Sequence, residues 1–245
     1  MGRVTPPRGS HGLAPGTPVP VTLNSLDHVA LWTDERERLA RLLVDCCGMH
    51  EIERTDRFTL VGGDARLGKL TLFDAEGPRD PGVLERVVLR VPDPDEAAER
   101  LAAAGATLDA DGGMATAETG AGLALGLVPA DGVADLDRVV LRVPSPESTV
   151  AGLAALGLER EGDHLRIAGK DIVVHGGGVP EGDRPLLNHL AVLVDRADDA
   201  EREARARGIE VADVVDAPNT RAVFVWGPDR IKLEYVEHKP GFSLV

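Results

Sequence analysis

The sequence predicts an α+β fold built from four tandem modules, each consisting of one strand, one helix and three further strands (βαβββ). Three observations predict it: a long internal repeat, a strand-then-helix pattern found in four places, and three short strand-like stretches after each helix. With 245 residues, the chain is long enough to bury a substantial core in one large domain or two smaller ones.

The internal repeat is clearest in the middle of the chain. The segment LERVVLRVPDPDEAAERLAAAGA starts at Leu84, and LDRVVLRVPSPESTVAGLAALGL starts at Leu136, an ungapped offset of 52 residues. Each copy has an alternating apolar strand, an Asp or Ser that can cap a helix, a proline at the first helical position and a glycine where the helix ends. Each copy is therefore predicted to be a strand followed by a helix.

Two further copies flank this pair, LDHVALWTDERERLARLLVDCCG from Leu26 and LNHLAVLVDRADDAEREARARG from Leu187. The third strand residue and the closing glycine are 20 residues apart in the first copy and 19 apart in the other three. This spacing makes four positions equivalent in the repeat: His28, Arg86, Arg138 and His189.

The repeat also predicts how the chain is divided. Polar joints rich in Gly and Pro separate four modules, which we predict at residues 24–76, 83–129, 135–178 and 186–245. Residues 1–23 contain five prolines among Gly and Ser. Such a segment buries too little apolar surface to fold, so we predict a flexible leader.

Composition excludes several kinds of partner. The 27 basic residues are outnumbered by 41 acidic ones, for a formal net charge of −14, which disfavours binding to nucleic acid or to anionic membrane surfaces. No apolar run is long enough to cross a bilayer, and the first 20 residues do not resemble a signal peptide, so we expect a cytoplasmic protein. The two cysteines, Cys46 and Cys47, are adjacent on a predicted helix, and we expect small buried thiols there.

A strand, a helix and three strands with a period near 52 residues resemble the vicinal-oxygen-chelate superfamily, which includes glyoxalases, extradiol dioxygenases and bleomycin-resistance proteins. The resemblance covers residues 24–245. It implies that two modules form one half-open β-barrel cup with helices outside, so that four modules form two cups. Because the equivalent position is His in modules 1 and 4 and Arg in modules 2 and 3, we favour pairing 1 with 4 (a metal cup) and 2 with 3 (an inert cup). The alternative pairs 1 with 2 and 3 with 4.

A metal site is predicted from three strand residues, His28, His189 and Glu234. Strict alternation places His28 on one face with Leu26, and His189 on one face with Leu187. Glu234 lies mid-strand among apolar neighbours, where a carboxylate is costly unless it is paired, protonated or metal-bound. Two imidazoles and one carboxylate form the facial set that binds Fe(II), our expected metal, or Mn(II), the alternative. A metal-free cup with hydrogen-bonded histidines stays open.

Two other histidines are candidates for proton transfer, His175 and His238. His175 lies 14 residues before His189 in KDIVVHGGG and resembles the acid–base histidine of the family. Under the alternative pairing it would replace His28 as a ligand, and an exposed loop histidine is the third interpretation.

The stretch FVWGPDRIKLE, which ends at Glu234, resembles the extradiol dioxygenase fingerprint, and HKP from His238 resembles the tail of the catechol-cleaving branch. The sequence departs from the fingerprint in having Phe224 in place of its Tyr, and Gly227 and Arg230 in place of the acid and glycine of its turn. The resemblance implies ring cleavage of a catechol or another vicinal diol or enediol.

Ligand number is the second argument for that reaction. Glyoxalases and epimerases of the family usually have a fourth protein ligand, but alignment of the two KL dipeptides places Thr71 there. A neutral hydroxyl is a weak ligand, which leaves three positions for a diol and dioxygen. We expect the substrate pocket to contain Trp32, Thr71, Phe224 and Trp226.

Two other functions remain open: a glyoxalase- or epimerase-like isomerase or lyase, and a non-enzymatic small-molecule binder. Binding proteins of this kind normally need aromatic walls, and the chain has only four Phe, two Trp and one Tyr. In every case the expected partner is a small molecule, and a homo-oligomer is compatible with the sequence.

Overall fold

The computed structural model describes residues 21–111, 113–179, 182 and 184–244. Residues 1–20 of the predicted leader lie outside the described residues. Val21 and Leu23 pack against the hydrophobic core, and Leu23 is already the first residue of the first strand.

The four predicted βαβββ modules are present. Module 1 contains β1 (Leu23–Thr33), α1 (Arg36–Cys47), β2 (His50–Arg54), β3 (Phe58–Gly62) and β4 (Lys69–Asp74). Module 2 contains β5 (Leu84–Val91), α2 (Pro94–Ala103), β6 (Thr107–Asp111), β7 (Met114–Glu118) and β8 (Ala124–Pro129). Module 3 contains β9 (Asp135–Val143), α3 (Pro146–Ala155), β10 (Glu159–Glu161), β11 (His164–Ile167) and β12 (Lys170–Gly176). Module 4 contains β13 (Leu187–Val194), α4 (Ala197–Ala206), β14 (Val211–Asp216), β15 (Thr220–Trp226) and β16 (Lys232–His238), with a short 3₁₀ turn at Pro228–Arg230.

The strands form two sheets of eight. The first sheet has the order β14-β15-β16-β13-β1-β4-β3-β2, and the second has the order β10-β11-β12-β9-β5-β8-β7-β6. Modules 1 and 4 therefore share one sheet and modules 2 and 3 the other, whereas the alternative pairing would put β1 and β5 in one sheet. Both orders are linear, so neither sheet closes into a barrel in the described part of the chain.

The helices pack on one face of each sheet. In α1 the buried residues recur with helical spacing and include Cys46 and Cys47, both free thiols. The helix ends at Gly48, whose φ of 70° is left-handed and is accessible to glycine at low cost. α2 begins at Asp93, whose side chain accepts a hydrogen bond from the Glu96 amide, and Pro94 follows at the first helical position.

β-Bulges interrupt the alternation at the centre of the first sheet. Leu26 pairs with Val192 and His28 with Ala191, so that Asp27 is an extra residue in β1. The prediction that Leu26 and His28 share a face was wrong. Because of the extra residue, the Leu26 side chain points to the opposite face of the sheet, where it is fully buried in the core beneath the helices.

A second bulge interrupts β13 in the same way. Ala30 pairs with His189 and Leu31 with Leu187, which makes Asn188 the extra residue. Leu187 consequently lies in the helix-side core with Leu31, not on the face of His189 as strict alternation predicted. The two histidines thus have equivalent backbone settings.

No helix in the described ranges combines the length and the apolar character that a bilayer crossing requires.

Candidate metal centre

Three donor atoms from three adjacent strands converge on the helix-free face of the first sheet, which we call the cup face. His28 Nε2 lies 3.1 Å from His189 Nε2 and 3.2 Å from Glu234 Oε2. His189 Nε2 lies 2.7 Å from the same Glu234 oxygen. The strand register explains the convergence, because His28 and Glu234 both flank Ala191, and His189 pairs with Ala30. The structure therefore brings together the three residues that the sequence singled out.

The second ring nitrogen of each histidine contacts a side-chain oxygen. His28 Nδ1 lies 2.9 Å from Asp27 Oδ2, and His189 Nδ1 lies 3.2 Å from Asn188 Oδ1. These oxygens are acceptors, so each Nδ1 carries a hydrogen and donates it, and in the neutral rings both Nε2 lone pairs are then directed at the Glu234 oxygen. Three acceptor atoms that meet in this way need a positive charge between them.

The spacing of the donors fits a divalent cation. Imidazole nitrogens and carboxylate oxygens bind such cations at about 2.0–2.2 Å, so neighbouring donors of an octahedral ion are about 3 Å apart. The three separations of 2.7–3.2 Å agree with that value. The donors are also buried, with side-chain exposures of 13% for His28, 6% for His189 and 7% for Glu234.

Electrostatics around the three donors favour one positive charge at their centre. Burial alone would raise the pKa of Glu234, but the charges and hydrogen bonds of the two histidines lower it to about 2. Burial would lower the pKa of His28, but Glu234 and Asp27 raise it to about 9. Burial lowers the pKa of His189. A proton on His28 and a metal ion therefore compete for the same place.

Asp27 connects His28 to two further residues and was missed by the sequence analysis. Its Oδ1 accepts from Lys69 Nζ at 2.9 Å and from His238 Nε2 at 3.2 Å. Burial would raise the pKa of Asp27, but Lys69, His238 and His28 hold it well below its usual range. Strict alternation had placed Asp27 on the opposite face. The signal that could have found it is a polar residue before each repeat-equivalent position, namely Asp27, Glu85, Asp137 and Asn188.

Aromatic rings line one end of the cup face. The ring centroids of Trp32 and Phe73 are 5.3 Å apart, those of Phe58 and Phe73 are 5.6 Å apart, and those of His189 and Phe224 are 5.1 Å apart. Trp226 is connected to Phe224 through Lys232, whose ammonium lies over both rings. We call these five residues, Trp32, Phe58, Phe73, Phe224 and Trp226, the aromatic wall.

The sequence predicted Trp32, Phe224 and Trp226 as pocket residues but missed Phe58 and Phe73. Phe73 pairs with Phe58 on one side and with Trp32 on the other, so all three rings lie on one face. The sequence alone does not specify this strand register. The wall therefore contains five of the seven aromatic residues of the chain.

Thr71 is buried and pairs with Ala30, beside His189. This position corresponds to that of Glu234, which lies beside Ala191 next to His28. The two positions are related by the approximate twofold symmetry of modules 1 and 4. A threonine hydroxyl therefore occupies the place where a fourth protein ligand would stand.

The two candidate proton-transfer histidines lie in different places. His238 is on β16 near Asp27, and its ring stacks on Phe242 with a centroid distance of 4.0 Å. His175 is on β12 in the second sheet, where its Nδ1 lies 3.2 Å from Glu85 Oε2 and its side chain is 48% exposed. The structure does not bring His175 to the three donors, because module 3 pairs with module 2 and not with module 4.

The second sheet has arginines at the positions of the two histidine ligands. Arg86 pairs with Val140 and Arg138 with Val88, the same diagonal arrangement as His28 and His189. The flanking strands present Val173 and Gly126 where the first sheet has Glu234 and Thr71. Arg86 and Arg138 approach Glu85 and Asp137 at 3.8 and 3.4 Å. This face therefore lacks the donor set of the first sheet.

Comparisons with solved structures support the fold. A Bacillus subtilis protein described as a "putative dioxygenase" superposes with a TM-score of 0.74 at 17% identity, over 91% of this chain and 87% of that one. Maize glyoxalase I gives 0.67 at 18% identity, over 86% and 92% of the two chains. The cppA protein of Streptococcus pneumoniae gives 0.63 at 14% identity, over 89% and 99%. No family model and no curated protein sequence matches the chain.

Four βαβββ modules in two sheets, with these structural relatives, establish the fold of the protein. The chain shares its fold with the Bacillus subtilis protein and with maize glyoxalase I, and this is the fold that the resemblance of its repeat implied. At identities of 14–18% the likeness extends to the fold, and the chemistry has to be argued from the residues of this chain.

Proposed function

We propose that the protein is a metal-dependent enzyme that holds one divalent cation, Fe(II) by preference and Mn(II) as the alternative, through His28, His189 and Glu234. The observation that carries the proposal is the convergence of three lone-pair donors within 3.2 Å of one another. Both imidazoles use their second nitrogen to donate to an oxygen, which is the usual support of metal-bound histidines.

The reaction we propose is extradiol-type ring cleavage of a catechol or a related vicinal diol. The donor set is limited to three strong ligands, because Thr71 stands at the fourth position. A cation held by only these three side chains would leave room for a diol and dioxygen to bind beside it. When bound, Fe(II) would lower the pKa of coordinated hydroxyls and supply the redox chemistry that dioxygen requires. One structural relative is described as a "putative dioxygenase" and another as glyoxalase I.

The residues of the chain orient the reaction. Asp27 and Asn188 fix the ring directions of His28 and His189 through their Nδ1 contacts. The aromatic wall lies against His189 through Phe224 and Phe73, and it would hold a flat ring and exclude water from one side of the cup.

His238 is the proton carrier that fits this arrangement. Its Nε2 faces Asp27 Oδ1 at 3.2 Å on the cup face, with the ring held by Phe242. Phe224 offers no hydroxyl in place of the Tyr of the fingerprint, so the proton of a substrate hydroxyl would pass to His238 Nδ1, because Nε2 donates its hydrogen to Asp27. A general base of this kind contributes about 10²- to 10⁴-fold to the rate.

Anaerobic purification with metal analysis, followed by oxygen-electrode assays across catechols, tests the proposal. We expect one cation per chain and oxygen uptake equimolar with the ring cleaved. A metal-loaded protein that converts substrate without oxygen uptake would contradict the dioxygenase and favour an isomerase or lyase. A protein that binds no metal and consumes no oxygen would contradict the metalloenzyme and favour a small-molecule binding protein.

A further inference from the structure

Lys232 places a positive charge inside the metal cup, next to the aromatic wall. It lies on β16 two residues before Glu234, so both side chains point to the cup face. Its Nζ lies 5.7 Å from the ring centroid of Phe224 and 5.4 Å from that of Trp226. Lys232 is therefore a half-buried cation beside the proposed reaction centre.

No acidic side chain in the described residues forms an ion pair with Lys232 within 4.0 Å. The chain carries 41 acidic residues, and the buried lysine of the same sheet face, Lys69, has a carboxylate partner in Asp27. The nearest carboxylate along the strand, Glu234, is engaged by His28 and His189. The ammonium of Lys232 is therefore available to form an ion pair with a molecule that binds in the cup.

A second cation borders the same end of the cup. The guanidinium carbon of Arg79 lies 5.8 Å from the ring centroid of Trp32. Arg79 Nε is buried, and it has no hydrogen-bond partner in the part of the chain that the structure describes. Buried donors normally have partners, so this atom is also available to a ligand. Two cations therefore lie over rings of the aromatic wall, Lys232 over Phe224 and Trp226 and Arg79 over Trp32.

We infer that the substrate is an aromatic diol that carries a carboxylate on a short side chain, and that Lys232 is the residue that selects it. This inference rests on the proposed function, because the diol is assigned to the metal. Lys232 and Glu234 are two residues apart on β16, a distance of about 6.6 Å along the strand. The two diol oxygens at the metal and a carboxylate at Lys232 Nζ would therefore belong to opposite ends of one substituted ring. The ring lies against Phe224 and Trp226, and Arg79 adds positive potential from the side of Trp32.

A purely structural role of Lys232, as a cation packed on two rings, predicts a different result. Loss of the ammonium would then change the affinities for charged and neutral ligands by the same factor. A carboxylate-binding role predicts that only the charged ligand is affected. The comparison of an acid with its isosteric amide separates the two roles.

The test uses the fluorescence of the two tryptophans, Trp32 and Trp226, the only ones in the chain and both in the wall. Under anaerobic conditions the Fe(II)-loaded protein is titrated with 3,4-dihydroxyphenylacetate and with 3,4-dihydroxyphenylacetamide. We expect the acid to bind at least about tenfold more tightly than the amide, which corresponds to one charge-assisted contact. In Lys232→Met the ratio should fall below about twofold, with the amide affinity unchanged.

Lys239→Met is the matched control, because it also removes a lysine ammonium, from the residue that follows the same strand, where Lys239 pairs with Asp216. It should retain the full acid-to-amide ratio. Equal affinities in the native protein, or a ratio that survives in Lys232→Met, would overturn the inference.

The inference and the proposed function can fail separately. An acid-to-amide ratio that depends on Lys232, in a protein that consumes no oxygen, would contradict the dioxygenase and support the anion site. Oxygen-dependent cleavage of both compounds with equal affinity would support the dioxygenase and overturn the anion site.

Discussion

Glu234 is a buried carboxylate in contact with two imidazole nitrogens, and its charge is central to the donor set. Glu234→Gln keeps the shape of the side chain and removes the charge. We expect it to weaken the binding of a divalent cation by at least about 100-fold, more than the 10- to 100-fold typical of the loss of a supporting residue. Competition with a chelating dye measures this affinity.

Glu99→Gln is the control for that substitution. Glu99 is an exposed residue of α2, and its replacement should leave the metal affinity unchanged. Equal affinities in the native protein and in Glu234→Gln would contradict the role of Glu234 as a ligand.

Asp27 has two roles that one substitution would affect together. It accepts from His28 Nδ1 at 2.9 Å and neutralises the buried Lys69 ammonium at 2.9 Å. We expect Asp27→Asn to weaken metal binding by about 10- to 100-fold. It should also lower the free energy of unfolding of the metal-free protein by about 3–5 kcal/mol, because the charge of Lys69 is left buried without its partner. Dye competition and urea denaturation measure the two effects.

The two effects of Asp27 can be separated by a second substitution. Lys69→Met removes the orphaned ammonium, so the double variant Asp27→Asn with Lys69→Met should recover most of the lost stability. Its metal affinity should stay low, since His28 still lacks a charged acceptor. A double variant that regains its metal affinity would show that Asp27 acts only through the fold.

At the scale of single residues, the sequence predicted the three donors and missed what supports them. His28 and His189 were recognisable from their equivalent positions in the repeat, and Glu234 from its mid-strand place among apolar neighbours and from the resemblance to the fingerprint. Asp27 was not, because a bulge of one residue changes the face of every side chain before it. Phe58 and Phe73 were missed because their place in the cup depends on the register between β1, β4 and β3.

The helices and strands were easier to predict from the sequence than the way in which the modules pair. Apolar alternation, helix caps and closing glycines are local signals, and they gave all four βαβββ modules. The pairing of modules 1 and 4 depends on strands about 160 residues apart, such as His28 and His189, and no local signal specifies it. Only the distribution of His and Arg among the equivalent positions favoured that pairing.

The turn between β15 and β16 contains two non-glycine residues in the left-handed region, Asp229 with φ 51° and Arg230 with φ 59°. Arg230 stands where the dioxygenase fingerprint has glycine, and its side chain is exposed. The left-handed region costs a non-glycine residue about 1–2 kcal/mol, and glycine adds about 0.5–1 kcal/mol of chain entropy to unfolding. We therefore expect Arg230→Gly to raise the free energy of unfolding by about 0.5–1 kcal/mol in urea denaturation.

The same replacement inside a helix should have the opposite sign. Arg202 is an exposed residue in the middle of α4, where Arg202→Gly should lower the free energy of unfolding by about 1 kcal/mol. A loss of stability in Arg230→Gly would mean that the arginine side chain stabilises the turn by more than its backbone conformation costs.

The whole molecule is an approximate duplication in which one half carries the donors and the other does not. Both halves have the same central antiparallel pair and the same bulges, with Glu85 and Asp137 as extra residues of β5 and β9. The backbone is therefore equivalent in the two sheets, and the difference in chemistry lies in a few side chains. The two halves of the chain thus share one fold but differ in the side chains that a metal site needs.

The symmetry predicts that the second sheet can be given a metal site by three substitutions. Arg86→His and Arg138→His restore the two imidazoles at their diagonal positions, and Val173→Glu supplies the carboxylate. The two bulge residues would then accept from the new Nδ1 atoms, as Asp27 and Asn188 do in the first sheet. Their charges stay compensated without the replaced arginines, because Arg142 contacts Glu85 at 2.8 Å and Arg90 contacts Asp137 at 2.6 Å.

We expect two divalent cations per chain in the triple variant and one in the native protein, as measured by metal analysis after dialysis. The double variant Arg86→His with Arg138→His lacks the carboxylate, so its second cation should be weaker by about 100-fold and lost in dialysis. A folded triple variant, checked by circular dichroism, that still holds a single cation would show that equivalent strand positions are insufficient. The binding of the first cation would then depend on contacts that the second sheet does not repeat, such as the ion pair between Asp27 and Lys69.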